Sequence, residues 1–405
     1  MPDSTPTVPA LLRALHERSR ALGIGPPAAF LGDWRDSPAV IIPSVDLRPT
    51  RPEQVFSVAG DLVVVGFRSF PDHVPDDAPL LPAAVRGTAT GRLTLAPDGR
   101  WRGDGTAPDP HEVVRRYGPP SSGGAGDDEG VGDDDEVGIP LTWAAPDRRA
   151  HRRAVVDCLE AIRAGEVYQT CLSTRLDGRL RSDPLETFLS LARRAPAARS
   201  AYLEGEWGAV LAFSPEEFLV RTGDDVRTSP IKGTVPADRD PAELLASAKD
   251  VAENIMIVDL ARNDLGRVAD VGSVRVSDLL AVRPAPGVHH LVSTVTARTS
   301  VDHDALVAAT FPPASVTGTP KQRARELIAG WEPRSRGLHC GTYGFATADT
   351  LDLAVAIRTL EVAPDGRCEL GVGGGITIDS DPDAEWDECV HKAAFTWGGG
   401  PAPWL

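Results

Sequence analysis

Lysine is scarce in this 405-residue chain: only Lys232, Lys249, Lys321 and Lys392 stand among its 42 basic residues, the rest being arginine. So strong a bias suggests a GC-rich genome and marks each remaining lysine as a residue to account for. Cysteine is sparse too, with five residues (Cys158, Cys171, Cys340, Cys368, Cys389) that are odd in number, widely spaced and never arranged as CxxC. That spacing argues against a disulfide framework or a zinc site and leaves the thiols as small buried residues. Positive charge is in deficit, 42 Lys and Arg against 58 Asp and Glu, for a formal net charge of −16. A nucleic acid or an anionic membrane demands a basic surface, so neither is an expected partner. No window approaches the roughly 20 apolar residues that cross a bilayer. The amino-terminal MPDSTPTVPALLRALHERSRALG lacks the basic-then-apolar order of an export signal, and a cytoplasmic location is the expectation. No repeat period is visible. What remains, 41% hydrophobic and 25% charged residues, is the composition of an ordinary globular protein with one large core or two smaller ones.

Residues 119–138 (PPSSGGAGDDEGVGDDDEVG) combine Pro, Gly and Ser with a dense acidic run that cannot bury enough apolar surface to order itself. The stretch 119–140 is expected to be a surface loop between an amino-terminal part, 1–118, and a region, 141–405, that carries every motif below. Gly208–Ser214 and Phe218–Ser229 read as strands, the second folded into a hairpin at Thr222–Asp225. Pro241 opens a helix expected to run to Gly266, Pro320–Trp331 is a second, and Pro382–Trp397 a third with Ser380 and Asp381 as cap candidates. Strands and long helices mix without a βαβ rhythm, which favours an α+β fold.

Two helices each carry an acidic pair. Asp250 and Glu253 share a face of the first, Glu385 and Glu388 repeat the spacing on the last, and Lys392 lies one turn further on. Four carboxylates on two helices could share a hard, oxygen-preferring cation, and Mg²⁺ suits because it leaves positions for water and substrate. Such pairs are otherwise solvated faces. The glycine run Gly371–Thr377 (GVGGGIT) could bring backbone N–H groups close to an anion, or be a tight turn or bulge. Arg358, inside the apolar run Leu353–Leu360, which reads as a strand, needs a partner that a substrate carboxylate could supply. Lys232 in Ser229–Thr234 stands at a strand end, where burial and a nearby cation can free the amine as a nucleophile; the alternative is a surface lysine. If the neighbouring strands pair, Glu216 faces the same cavity.

PIKGT (230–234), AENIMIVDLARNDLGRV (252–268), HHLVST (289–294), FPPASVTGTPKQRA (311–324), GVGGGIT (371–377) and AEWDECVHKA (384–393) stand in the order found in chorismate-utilising enzymes, and the resemblance covers about residues 141–405. It implies a large α+β fold of two packed antiparallel sheets flanked by helices. By the same resemblance Glu253 and Glu388 are the direct Mg²⁺ ligands, with Asp250 and Glu385 supporting through water. Arg358, Lys392 and the backbone of Gly373, Gly374 and Gly375 bind the enolpyruvyl carboxylate of chorismate, and Glu216 is the general acid for the departing 4-hydroxyl. Thr234, His290, Ser315 and His339 are further pocket residues, His339 standing where the family usually has tyrosine.

Two positions separate the branches. Relatives that add water resemble one another in a lysine base where this chain has Gln169, and a glutamine cannot deprotonate water. Anthranilate synthases typically read PIAGT; the PIKGT form resembles aminodeoxychorismate synthases, in which the lysine attacks ring C2 and ammonia then displaces it at C4. That branch is expected here. Anthranilate synthase, aminodeoxyisochorismate synthase and an inactive scaffold homologue are the alternatives. A class I glutamine amidotransferase would show GxCxG and a later HxE, whereas Cys340 is flanked at two residues by Leu338 and Thr342 and no histidine begins HxE. The ammonia is expected from a separate glutamine amidotransferase subunit.

Overall fold

A computed structural model describes residues 5–72, 77–119 and 140–404. The acidic stretch expected to form a loop lies, apart from its end positions, outside the described residues. Two large antiparallel sheets organise the rest. The first runs in the order Gly318–Thr319, Gln169–Leu180, Arg367–Ile376, Thr359–Val362, Gly208–Ser214, Arg199–Gly205, Ala28–Trp34, Ser37–Ile42, Gly91–Leu95 and Trp101–Gly105, with Leu141–Trp143 also on Gln169–Leu180. The second runs Ile231–Pro236, Val288–Arg298, Asp225–Thr228, Glu217–Thr222, Thr350–Val355, Thr342–Thr347, Val63–Arg68, Ala84–Ala89 and Arg48–Pro49, with Arg275–Ala285 on Val288–Arg298. This is the α+β architecture expected from the sequence. Strands of the amino-terminal part enter both sheets: Ala28–Trp34 pairs with Arg199–Gly205, and Val63–Arg68 with Thr342–Thr347.

The alternation of each strand sorts its side chains into layers. Ala28, Phe30 and Val210 from the first sheet meet Val65, Phe67, Tyr343 and Phe345 from the second in one buried cluster between them. The outer face of the first sheet packs Leu211 and Phe213 against Leu11, Leu15, Phe188 and Cys389 of flanking helices. The second sheet's outer face packs Leu219 and Val295 against Val258, Ala261 and Leu265 of the helix Ala248–Gly266. Each fully buried Leu or Phe contributes on the order of 1.5–3 kcal/mol, so the paired sheets are held chiefly by apolar burial. Among the described residues no helix is long and apolar enough to cross a membrane.

Four local expectations change. The helix expected from Pro241 to Gly266 is two, Ala242–Ala246 and Ala248–Gly266, because Ser247 turns extended and its hydroxyl caps Asp250 N–H at 3.2 Å. The last helix stops at Ala393, continuing to Thr396 only as a 3-10 turn; Asp381 caps it, while Ser380 donates to Glu385 instead. Leu353–Leu360 is not one strand. Thr350–Val355 belongs to the second sheet and Thr359–Val362 to the first, and the chain crosses between them with Arg358 at φ +49°. The glycine run is neither turn nor bulge but the end of the strand Arg367–Ile376, paired with Gln169–Leu180 through Ile376.

Candidate active site

Past Leu370 the outer edge of the glycine strand has no strand partner among the described residues, since Thr359–Val362 covers only Cys368–Leu370. A cavity of about 890 Å³ opens beside that edge, between the helix Ala248–Gly266, the strand Ile231–Pro236 and the helix Pro382–Ala393. The glycines leave space where side chains would collide. A Cβ on Gly371 would lie 2.1 Å from the His339 ring, and one on Gly375 would lie 2.5 Å from Gln169 Nε2, 3.2 Å from Glu253 Oε2 and 3.4 Å from Lys232 Nζ.

Lys232 reaches the cavity through a break in the ladder. The pairing of Ile231–Pro236 with Val288–Arg298 shifts register between Ile231 and Thr234, and Gly233 takes φ +85° there. This is a bulge that turns a side chain out of the regular alternation. Lys232 Nζ donates to the Ser315 carbonyl at 3.1 Å, and the Ser315 hydroxyl in turn donates to Glu216. Glu216 is 4% exposed. Burial pushes its carboxyl up to about 7, against the lowering pull of Ser315, Lys232 and the Ile231 N–H. Thr234 and His290 stand opposite one another in the ladder, Thr234 Oγ1 lying 2.9 Å from His290 Nδ1; burial, then Arg358 and His289, hold His290 down to about 4, so it is neutral.

The two acidic helices meet across the glycine strand. A Cβ on Gly374 would stand 3.2 Å from Glu385 Oε2 and 3.4 Å from Glu388 Oε1. Asp250 borders the cavity beside Gly233. Lys392 Nζ lies 2.6 Å from Glu388 and donates to the Gly373 carbonyl at 2.7 Å. Burial alone would raise the Glu388 carboxyl, but Lys392, Lys249 and Lys232 bring it below its ordinary value. Glu253 is raised, by burial first and by Asp250 and Glu385 after it. Lys249 Nζ lies 3.6 Å from Glu385 and 4.0 Å from Glu253. As they stand, with lysines between them, no three carboxylate, imidazole or thiol groups converge on a metal position among the described residues.

Arg358 lines the cavity without an ion pair among the described residues, and burial lowers its pKa because the charge has no counter-ion. His339 packs against Gly371, its Nε2 3.1 Å from Ser173 Oγ and its Nδ1 without a partner among the described residues; burial, then Arg336 and Lys392, push it down to about 3. The chorismate binding enzyme family matches residues 133–397, more than half of the chain. The chain belongs to the chorismate-binding enzymes. It is 44% identical to aminodeoxychorismate synthase component 1 of Escherichia coli over 243 residues, 58% of this chain and 53% of that protein. It is 43% identical to anthranilate synthase component 1 of Streptomyces coelicolor over 245 residues, 58% of this chain and 48% of that one. The matched region thus spans about half the length of these relatives. The fold is similar to that of anthranilate synthase component I from Streptococcus pneumoniae, with TM-score 0.72 at 23% identity over 92% of this chain and 91% of that one. It is also similar to the menaquinone-specific isochorismate synthase of Escherichia coli, with TM-score 0.71 at 18% identity over 98% and 91%.

In this chorismate-binding enzyme the cavity gathers Lys232, Glu216, Thr234, Asp250, Glu253, His290, Ser315, His339, Arg358, Gly373, Gly374, Gly375, Glu388 and Lys392. Gln169 and Glu385 are not in its lining; both are buried, Gln169 against Gly375 and Glu385 against Gly374. Sequence reasoning missed Lys249, although it is one of four lysines and sits one helical turn before Glu253. It also missed Cys171 and Cys340, which line the cavity with their thiols hydrogen-bonded to each other.

Proposed function

We propose that this chorismate-binding enzyme is an aminodeoxychorismate synthase component, replacing the 4-hydroxyl of chorismate with an amino group. The observation that carries the reading is that an amine and a carboxyl of raised pKa, Lys232 and Glu216, face one cavity and are joined through Ser315. Lys232 attacks ring C2, both double bonds of the ring diene shift, and the C4–O bond breaks as Glu216 gives its proton to the departing hydroxyl, releasing water. Ammonia then attacks C4, both double bonds shift back, and Lys232 leaves from C2. The enolpyruvyl ether is untouched throughout. Gln169, behind Gly375, has no basic atom to activate water in competition.

Substrate binding follows from charge. Arg358, a half-buried cation facing the cavity, pairs with the enolpyruvyl carboxylate, with Lys392 and the backbone of Gly373–Gly375 beside it. Mg²⁺ fits the donor set, because Glu253, Glu385 and Glu388 border the same two glycines and offer only oxygen. Glu253 and Glu388 would hold the ion directly, with Asp250 and Glu385 behind them, and when bound it neutralises the ring carboxylate. The relatives named as a component 1 support a second component, and a glutamine amidotransferase subunit supplies the ammonia.

Mass spectrometry tests the covalent step. Enzyme incubated with chorismate and Mg²⁺ but no ammonia should accumulate an adduct on the peptide carrying Lys232, absent from Lys232→Ala. With ammonium and an added aminodeoxychorismate lyase, 4-aminobenzoate is the expected product. Anthranilate formed without the lyase would replace this reading with the anthranilate synthase one.

A further inference from the structure

The segment Glu332–Cys340 forms a strap across the first sheet and ends in the cavity wall at His339 and Cys340. Nearly every residue of it is tied to a strand beneath. Glu332 Oε1 accepts from Ser173 N–H at 2.8 Å, Arg336 Nη2 donates to the Cys171 carbonyl at 2.7 Å, and Arg175 Nη1 donates to the Ser335 carbonyl at 3.0 Å. Leu338 N–H donates to Glu361 Oε1 at 3.0 Å, and His339 reaches Ser173. The turn needs Gly337 twice over: it adopts φ +59°, and a Cβ there would stand 3.1 Å from both oxygens of Glu361.

Glu361 belongs to a row of like charges. It stands directly opposite Glu369, and Glu369 directly opposite Asp177, so three carboxylates share one face of three adjacent strands. Cross-strand like charges repel unless neutralised. Arg334 lies 2.5 Å from Asp177 and 3.3 Å from Glu369, and Arg175 lies 3.0 Å from Glu369. Asp77 draws on the same two guanidiniums, at 3.4 Å from Arg334 and 3.3 Å from Arg175. Of the other charges nearby, Arg336 is taken by Glu332, Arg367 by Asp365, and His339 is neutral. Four carboxylates therefore face two guanidiniums. Glu361, 2% exposed, has no cation of its own among the described residues. Its Oε2 has no hydrogen-bond partner among the described residues, whereas the Oε2 of Glu369 lies 3.0 Å from Arg175 Nη1.

We propose that Glu361 and Glu369 hold one proton between them, and that Glu361 in this state is a positioning residue: its carboxyl fixes the Gly337–His339 turn and thereby sets His339 and Cys340 in the cavity wall. Sharing one proton removes one of the opposed charges and gives the unpartnered Glu361 Oε2 a role without adding any group. The direction of both titrations agrees. Burial, then Glu369, pushes Glu361 up to about 8, and burial, then Asp177 and Asp77 against the pull of Arg175, leaves Glu369 at about 7.

The kinetic arm of the test rests on the chorismate reading; the infrared arm does not. At neutral pH the wild-type protein should show the C=O stretch of a buried un-ionised carboxyl that is lost in Glu361→Gln. The glutamine keeps an oxygen for Leu338 N–H and offers an amide N–H to Glu369, so it mimics the proton-bearing state at every pH. The KM for chorismate should accordingly rise at least fivefold between pH 7 and pH 9.5 in the wild type, beside an alkaline fall in kcat that Glu216 imposes equally on wild type and variants, and this rise in KM should be absent from Glu361→Gln and from Glu369→Gln. Glu361→Ala should show the raised KM already at pH 7; should it fail to fold, the two glutamine variants still carry the comparison. An unchanged infrared band in Glu361→Gln, or the same alkaline rise in KM, overturns the proposal. Absence of any chorismate turnover counts against the proposed function instead, and the infrared result then decides this inference alone.

Discussion

Glu216 offers the sharpest quantitative expectation. Its carboxyl is pushed up to about 7 chiefly by burial, while Lys232 and the Ser315 hydroxyl pull it back. With a titration midpoint there, about nine-tenths of the molecules carry the proton at pH 6 and about one-tenth at pH 8. If Glu216 delivers a proton to the 4-hydroxyl, kcat should fall on the alkaline side with roughly a tenfold loss per unit well above pH 7, and Glu216→Gln should lower it by about 10²–10⁴. The structure adds a coupling. Lys232→Met removes the ammonium that favours the carboxylate, so the Glu216 midpoint should move upward by about one unit or more. Infrared titration of the carboxyl in Lys232→Met, with Glu216→Gln as reference, measures it without needing turnover. Stability supplies a second readout. The folded-state value lies above that of the unfolded chain, so the carboxyl is neutral in both states below about pH 4, and as the pH rises toward 7 only the unfolded chain gains the charge freely. Stability should fall across that window by on the order of 3 kcal/mol, and Glu216→Gln should flatten the decline in Tm against pH. A midpoint that stays put or drops in Lys232→Met would refute the reasoning, because it would mean that the two groups do not share one cavity electrostatically.

Gly375→Ala should cost about 1–3 kcal/mol by overpacking and abolish most turnover, since its Cβ would press on Gln169, Glu253 and Lys232; a Tm and a rate equal to wild type would contradict the crowded geometry. Glu253→Gln and Glu388→Gln should each weaken Mg²⁺-dependent chorismate binding severely while leaving the fold intact, as read by calorimetric titration beside a thermal melt. Normal turnover of either variant at low Mg²⁺ would remove it from the ligand set.

Much of the site was legible because its residues mark themselves locally. Pro382 and Asp381 announce a helix start and Gly223 and Asp224 a two-residue hairpin, whereas PIKGT, read as the end of a strand, opens a new one, Ile231–Pro236. The shape of the cavity was not, because it arises where local signals mislead. Glycine is a poor strand former, yet Gly371–Gly375 is a strand: the gain is not in backbone preference but in the space denied to any Cβ by His339, Glu385 and Gln169. The run around Arg358 is uniformly apolar because it is buried in both sheets, so its pattern carries no trace of the crossing from one to the other. Ser247 looks like an ordinary helix residue until its hydroxyl is seen capping Asp250. Lys249 follows it on the same helix, and only the approach of Pro382–Ala393 gives it carboxylates on both sides.

The way strands of the amino-terminal part enter both sheets bears on how the chain comes to be folded. Ala28–Trp34 and Val63–Arg68 are made long before Arg199–Gly205 and Thr342–Thr347, against which they pair. On a ribosome each early strand can therefore pair on one edge, with Ser37–Ile42 or Ala84–Ala89, while its other edge stays open, and neither sheet can close until the later segments follow. Pairings so distant in sequence carry a large loop-closure cost before they yield contacts, which places such a topology among slow folders. Val63–Arg68, a buried strand with little charge, is meanwhile the kind of segment that seeks another edge. Yield in the cell is then governed by how well that early edge is guarded, a property separate from anything the finished cavity does.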